Sequence, residues 1–157
     1  MPDTPPVTTS LKLWVVMMRA LGSIEERLEQ QVQAHGLSLT EFGVLEVLLH
    51  KGHLPIGEIG SRILLTSGSM TYVVDKLERR GLIERRACET DRRVVHADLT
   101  PKGRALMEVV FPEHAELIRQ LMGGLRLHEQ EVATELLKRL GHYAQQYKIP
   151  EPGDVAA

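Results

Sequence analysis

Apolar residues recur at three- and four-residue steps through most of the chain, and one short region alternates instead. Leu11, Trp14, Met18, Leu21, Ile24, Leu28 and Val32 form one stripe, which predicts an amphipathic helix over residues 11–32. Gly36 is its expected stop. Ser38 and Glu41 then have the spacing of a capping box, with Leu37 and Phe42 as a hydrophobic staple, so a second helix is expected to about His50 with Phe42, Leu45, Leu48 and Leu49 inward. Lys51, Gly52 and His53 read as a turn, and Pro55 as the first position of a short third helix with Ile56, Ile59 and Ile63 on its apolar face. Met70, Val73, Val74 and Leu77 mark a fourth helix, capped by Thr66 or Ser67 and stopped by Gly81.

After that stop the period changes. Residues 82–86 and 94–99 alternate well enough to be two short strands, with Val95, Ala97 and Leu99 on one face and Val94, His96 and Asp98 on the other. The connector holds Glu89, Thr90, Asp91, Arg92 and Arg93, which are too polar to bury. Thr100 and Pro101 then open a long helix with Leu106, Val109, Val110, Leu117 and Leu121 inward, which Pro112 is expected to bend or divide. Gly123 and Gly124 break the pattern, and a last helix from about His128 carries Val132, Leu136, Leu137, Leu140 and Tyr143. Residues 1–10 and 150–157, rich in proline and small residues, are expected to be flexible tails.

The fold class that follows is mainly α with a small β-hairpin. Two consecutive helices, the second with a polar outer face of Gly68, Thr71, Tyr72, Asp75, Lys76 and Arg79, followed by a hairpin with a charged tip, have the order of a winged helix-turn-helix. That lobe would span residues 37–99 of a single domain covering 1–157. Residues 11–35 and 100–147 would form a helical dimerisation layer, because their apolar stripes have little in one chain to cover them.

Charge distribution sharpens this reading. The whole chain carries a net charge of −2, yet residues 61–104 hold ten Lys/Arg against six Asp/Glu, while the flanking segments hold four against seven and five against eight. A local basic surface suffices for phosphate binding, whatever the total charge. Ser67, Ser69, Thr71, Tyr72 and Lys76 are the candidates to face bases or phosphates from the fourth helix, and Gly68 would allow close approach. Arg79 and Arg80 are more suited to backbone contacts or to ion pairs with Glu78 and Glu84. Arg92 at the hairpin tip is the candidate for a narrow minor groove.

Three blocks in this order resemble the MarR-type (multiple antibiotic resistance regulator) winged-helix transcription factors: S-M-T-x-x-V-D-x-L-E-x-x-G-L-I at residues 69–83, D-R-R at 91–93 and L-T-P-K-G at 99–103. The resemblance implies a homodimeric, sequence-specific repressor of its own or neighbouring genes, bound to a pseudo-palindromic stretch of double-stranded DNA and relieved by a small aromatic or phenolic effector. It also implies that Asp91 and Arg93 brace the wing tip through an ion pair. Effectors of the family commonly bind where dimerisation helices meet the winged-helix lobe. Trp14, Met17, Met18 and Phe42 would then supply an apolar wall, and Arg19 or His35 a polar contact.

Other chemistry finds little purchase. There is no G-x-S-x-G elbow, no Gly-rich phosphate loop and no H-E-x-x-H, so no enzyme and no cofactor is expected. The single cysteine, Cys88, excludes an internal disulfide; a redox-responsive regulator using that thiol near Arg85, Arg86 and Arg92, or a metal-responsive one using His50 and His53, is the alternative, as is a helical protein-interaction module. No apolar run is long enough to span a bilayer, and the first residues lack the form of a secretory signal, so a cytoplasmic location without membrane attachment is expected.

Overall fold

The computed structural model describes residues 6–63, 69–87 and 94–149. Six helices and three short strands follow in the order α1 (Val7–Ala34), α2 (Leu39–Lys51), β1 (Leu54–Pro55), α3 (Ile56–Arg62), α4 (Met70–Arg79), β2 (Ile83–Ala87), β3 (Val95–Leu99), α5 (Pro101–Met122) and α6 (Leu127–Gln146). The described residues form two compact units that divide between residues 118 and 119.

Three glycines with positive φ set the corners of the first unit, Gly36 (+72°), Gly52 (+73°) and Gly81 (+68°), following α1, α2 and α4. The capping box at the start of α2 is complete: the Ser38 hydroxyl accepts from the Glu41 N–H at 3.2 Å, and the Glu41 carboxylate accepts from the Ser38 N–H at 2.8 Å. α1 starts earlier than its stripe predicts. Pro6 is the last of the N-terminal prolines, and its carbonyl accepts the Thr9 and Ser10 N–H groups at 2.9 and 3.2 Å, so residues 7–10 of the expected tail are helical.

The hairpin predicted from the alternation is present, with Ile83 opposite Leu99 and Ala87 opposite Val95, and it gains a third strand. Leu54 and Pro55 pair with Ala97 and His96, giving the sheet order β1-β3-β2. Pro55 therefore precedes α3 rather than opening it, which suits an edge strand whose missing N–H costs no ladder bond. Val32, Leu37, Phe42, Leu45, Leu48, Ile59, Val74, Leu77, Ile83, Ala97, Met107 and Val110 close one core under the sheet and helices.

α5 keeps its expected phase except at Val109: Val110 is buried and Leu106, Leu117 and Leu121 are half-buried. Its buried residues are Gly103, Met107, Val110 and His114, while Val109 is 55% exposed. At the helix start the Thr100 hydroxyl accepts the Gly103 N–H at 3.0 Å and donates to the Gly81 carbonyl at 2.7 Å, which holds Gly103 against Leu82, just before β2. Steps of four, three and four residues from there bury Met107, Val110 and His114. Pro112 neither divides α5 nor ends it. Pro112 is exposed, as is Glu108, whose carbonyl loses its helical partner to the proline.

In the second unit the Glu129 carboxylate caps α6 by accepting the Arg126 N–H at 2.8 Å, and Gln130 Nε2 donates to the carbonyls of Met122 and Leu125, both at 3.0 Å. α6 buries none of its residues; Val132, Leu136, Leu137, Leu140 and Tyr143 are all exposed. α1 buries only Leu28 and Val32, and exposes Leu11, Leu13, Trp14, Val16, Met18 and Leu21.

Candidate nucleic-acid interface

α4 has the amphipathicity that its sequence predicts. Val73, Val74 and Leu77 are buried, which turns Thr71 and Tyr72 outward in the first turn; Tyr72 is 62% exposed. The helix begins at Met70 with Ser69 in the N-cap position, and the Ser69 side chain makes no capping bond. Thr66, Ser67 and Gly68, expected at the cap and the groove-facing edge, lie outside the described residues, as do Cys88, Asp91, Arg92 and Arg93 of the wing connector.

The charges on α4 are tied to neighbouring elements. Arg85 of β2 donates to Glu78 at 2.5 Å and also to Asp75, so its forked guanidinium binds the hairpin to the helix. On another face, Lys76 Nζ and Arg80 Nη1 approach Glu41 Oε1 at 3.0 and 3.4 Å. Glu41 is only 2% exposed. Burial alone would raise its carboxyl, but the Ser38 N–H and the charges of Lys76 and Arg80 outweigh that and hold it below the usual carboxylate range. The partners expected for Arg79 and Arg80 are therefore taken otherwise: Glu78 pairs with Arg85, Glu84 with Arg86, and Arg80 with Glu41. Lys102 Nζ completes the end of α4 by donating to the Arg80 carbonyl at 2.8 Å.

A cavity of about 550 Å³ lies between α1, α2, α5 and the end of α3, with Leu28, Leu39, Phe42, Val47, Ile63 and Ile118 as its apolar wall. Glu46, His50, Lys51, Arg62 and His114 supply polar groups. Burial pushes the Glu46 carboxyl up, against a smaller opposing pull from His50, and pushes the His114 imidazole down. His114 stacks on Phe42 with ring centroids 4.2 Å apart, and its Nδ1 meets Gln31 Oε1 at 2.9 Å.

Of the six residues expected to form an effector site, Phe42 lines this cavity. Trp14, Met18 and Arg19 are exposed along α1, Met17 is half-buried, and His35 at the end of α1 meets Glu113 at 2.6 Å. His50 packs edge-on to Phe111 and His53 to His96, and no group of three or more His, Cys, Asp or Glu among the described residues is placed to hold a metal. The Glu41 cluster and the Arg85 fork were not foreseen; a cleft walled by Phe42 was expected, but its other lining residues were not. Glu41 left one mark in the sequence, its place in the capping box, which gives no sign of a second task.

The domain model of the MarR family matches residues 37–95, the segment from the α2 cap to the start of β3. MhqR, an HTH-type transcriptional regulator of Bacillus subtilis (strain 168), is 49% identical over 138 residues, covering 88% of this chain and 95% of its own. The chain belongs to the MarR family. Members are transcription regulators rather than enzymes, and this MarR-family chain is a DNA-binding regulator of transcription with a winged helix. Sco3205 of Streptomyces coelicolor, a MarR family regulator solved in complex with DNA, has the same fold at a TM-score of 0.79 and 23% identity, over 93% of this chain and 94% of that one. BpsR of Bordetella bronchiseptica, whose DNA binding is regulated by 6-hydroxynicotinic acid, matches at a TM-score of 0.73 and 25% identity, over 83% and 98% of the two chains. No helix among the described residues is long and apolar enough to cross a membrane.

Proposed function

We propose that the chain is a homodimeric repressor that reads a pseudo-palindromic operator near its own gene and is released by a small aromatic ligand, acting in the cytoplasm where that DNA lies. α4 enters the major groove by its first turn, with Thr71 and Tyr72 at base edges and Ser67, Gly68 and Ser69 close to the backbone. Arg92 reaches the adjacent minor groove, and Asp91 and Arg93 brace the tip.

The observation that carries the reading is the division of labour on α4. Asp75, Lys76, Glu78 and Arg80 are held by protein partners, while Thr71 and Tyr72 stand exposed. Neutral donors, acceptors and an aromatic edge discriminate bases, whereas charges mainly position the protein on phosphates. Lys76, held on Glu41, positions α4 on α2 rather than on phosphate.

Ligand control is supported by the cavity, whose volume of about 550 Å³ suits a small aromatic molecule. α2 contributes Phe42 and Val47 to the cavity and Glu41 to the contact with α4. A ligand that shifts α2 therefore shifts the helix that reads DNA, and it weakens binding to the extent that it prefers the shifted form. A tenfold loss needs about 1.4 kcal/mol of coupling. The ligand-controlled DNA binding of BpsR supports the same class of effector. Trp14, Met18 and Leu21 then belong to the dimer surface rather than to the ligand wall.

Footprinting the purified protein on DNA flanking its own gene, with and without a millimolar aromatic acid, tests this reading. The expected result is a near-symmetric protected stretch that the acid uncovers. Absence of protection anywhere in that DNA contradicts operator binding; protection unchanged while calorimetry reports bound acid contradicts ligand control.

A further inference from the structure

The clamp on Glu41 has no counterpart in the reading of α4 as a helix that simply offers its cations to DNA. We propose that Glu41 is a positioning residue for sequence discrimination, which seats α4 on α2 and withholds Lys76 and Arg80 from the phosphates. The proposal rests on α4 being the recognition helix.

Lys76 and Arg80 are four residues apart and share one face of α4, and both reach the same carboxylate oxygen. The other oxygen is occupied by the Ser38 N–H, so the carboxylate is anchored to the first turn of α2 before it meets α4. Its burial makes this a directed contact: side-chain exposure is 3% for Glu41 against 44% for Lys76 and 32% for Arg80. A carboxylate so enclosed would be costly with its partners gone, so the cations are held from within the protein. The Lys102 bond to the Arg80 carbonyl fixes the end of the same helix from another side.

The consequence for DNA is specific. A lysine or arginine released on α4 would find a phosphate on any sequence, which strengthens non-specific binding through counterion release without helping the operator. Held on Glu41, the two cations leave exposed Thr71 and Tyr72 in a defined orientation. Preference for the operator is thus obtained partly by suppressing binding to everything else.

The test compares the parent protein with Glu41→Gln and Lys76→Gln by fluorescence anisotropy, on the operator and on a shuffled duplex, across a series of salt concentrations. Glutamine also completes a capping box, so Glu41→Gln removes the charge while keeping the helix start. We expect Glu41→Gln to bind the shuffled duplex about tenfold tighter at low salt, with a salt slope steeper by about two to four for the dimer. Its operator preference should fall by about tenfold. Lys76→Gln, which leaves Arg80 on the Glu41 carboxylate, should keep the parental salt slope and lose part of the preference.

A parental slope and preference in Glu41→Gln, with only a lower melting temperature, overturns the proposal in favour of a merely structural ion pair. A slope lowered by about one per subunit in Lys76→Gln also overturns it, since that lysine then contacts phosphate. A parent protein that binds both duplexes alike overturns the recognition-helix reading, and the proposal falls with it.

Discussion

Gly103 lies so close to Leu82 that a Cβ on it would stand 2.0 Å from the Leu82 carbonyl oxygen. The same carbonyl accepts the Thr100 N–H at 3.1 Å, so the end of β3 and the start of α5 are drawn onto the segment that leaves α4. Together with the Arg85 fork, this contact ties α4, the hairpin and the start of α5 together.

Replacing Gly103 with alanine should therefore destabilise the fold by about 1–3 kcal/mol, because the clash is with backbone that has no rotamer to escape into. The urea unfolding midpoint checks this. A midpoint equal to the parent's would show that α5 can retreat from Leu82 at no cost.

What the sequence displayed and what it hid divide along the same line between local and tertiary causes. The stops at Gly36, Gly52 and Gly81, the Ser38–Glu41 box and the burial of Val73, Val74 and Leu77 each depend on neighbours a few residues away, and were legible. The two-residue β1 carries no period of its own, and exists because His96 and Ala97 offer an edge. The inward stripe of α5 was legible apart from Val109, but the contact of Gly103 with Leu82 was not, because no helical stripe reports where a glycine meets another segment. Glu41 finds Lys76 and Arg80 across 35 and 39 positions, so the clamp became visible only in three dimensions. The first turn of α1 was hidden by its prolines, which mark the residues before a helix as readily as a loop.

The exposed stripes of α1 and α6 lead to the second prediction. Leu11, Trp14, Met18, Leu136 and Leu140 are each at least 40% exposed, far more apolar surface than single scattered residues need. Light scattering at micromolar concentration should give twice the 17.6 kDa chain mass. Leu136→Glu with Leu140→Glu should shift the population toward monomer. A monomeric parent would contradict palindromic reading.

Glu46 gives a pH test of the cavity. Its folded carboxyl is raised by burial above the ordinary value of about 4.3, so the folded state holds the proton more firmly than the unfolded one. The unfolded chain then binds fewer protons, and stability is lost as pH rises from about 4.3 through the folded value. Above that, the penalty stays constant. Glu46→Gln should therefore raise the melting temperature at pH 7 and leave it near the parent's below about pH 4. An equal or lower melting temperature at pH 7 would mean that the carboxylate is stabilised at the cavity wall by a partner such as His50.

The central claim, that exposed Thr71 and Tyr72 read sequence beside the internally paired Asp75, Lys76, Glu78 and Arg80, is tested most directly by titrating the parent protein against its footprinted operator and against a duplex of the same composition in shuffled order. At near-physiological salt the account predicts an operator preference of at least about 10³. It also predicts that Thr71→Ala and Tyr72→Ala reduce this preference by weakening the operator alone, with shuffled-duplex affinity little changed. Equal affinity for the two duplexes in the parent, or equal losses on both in the two variants, would contradict it.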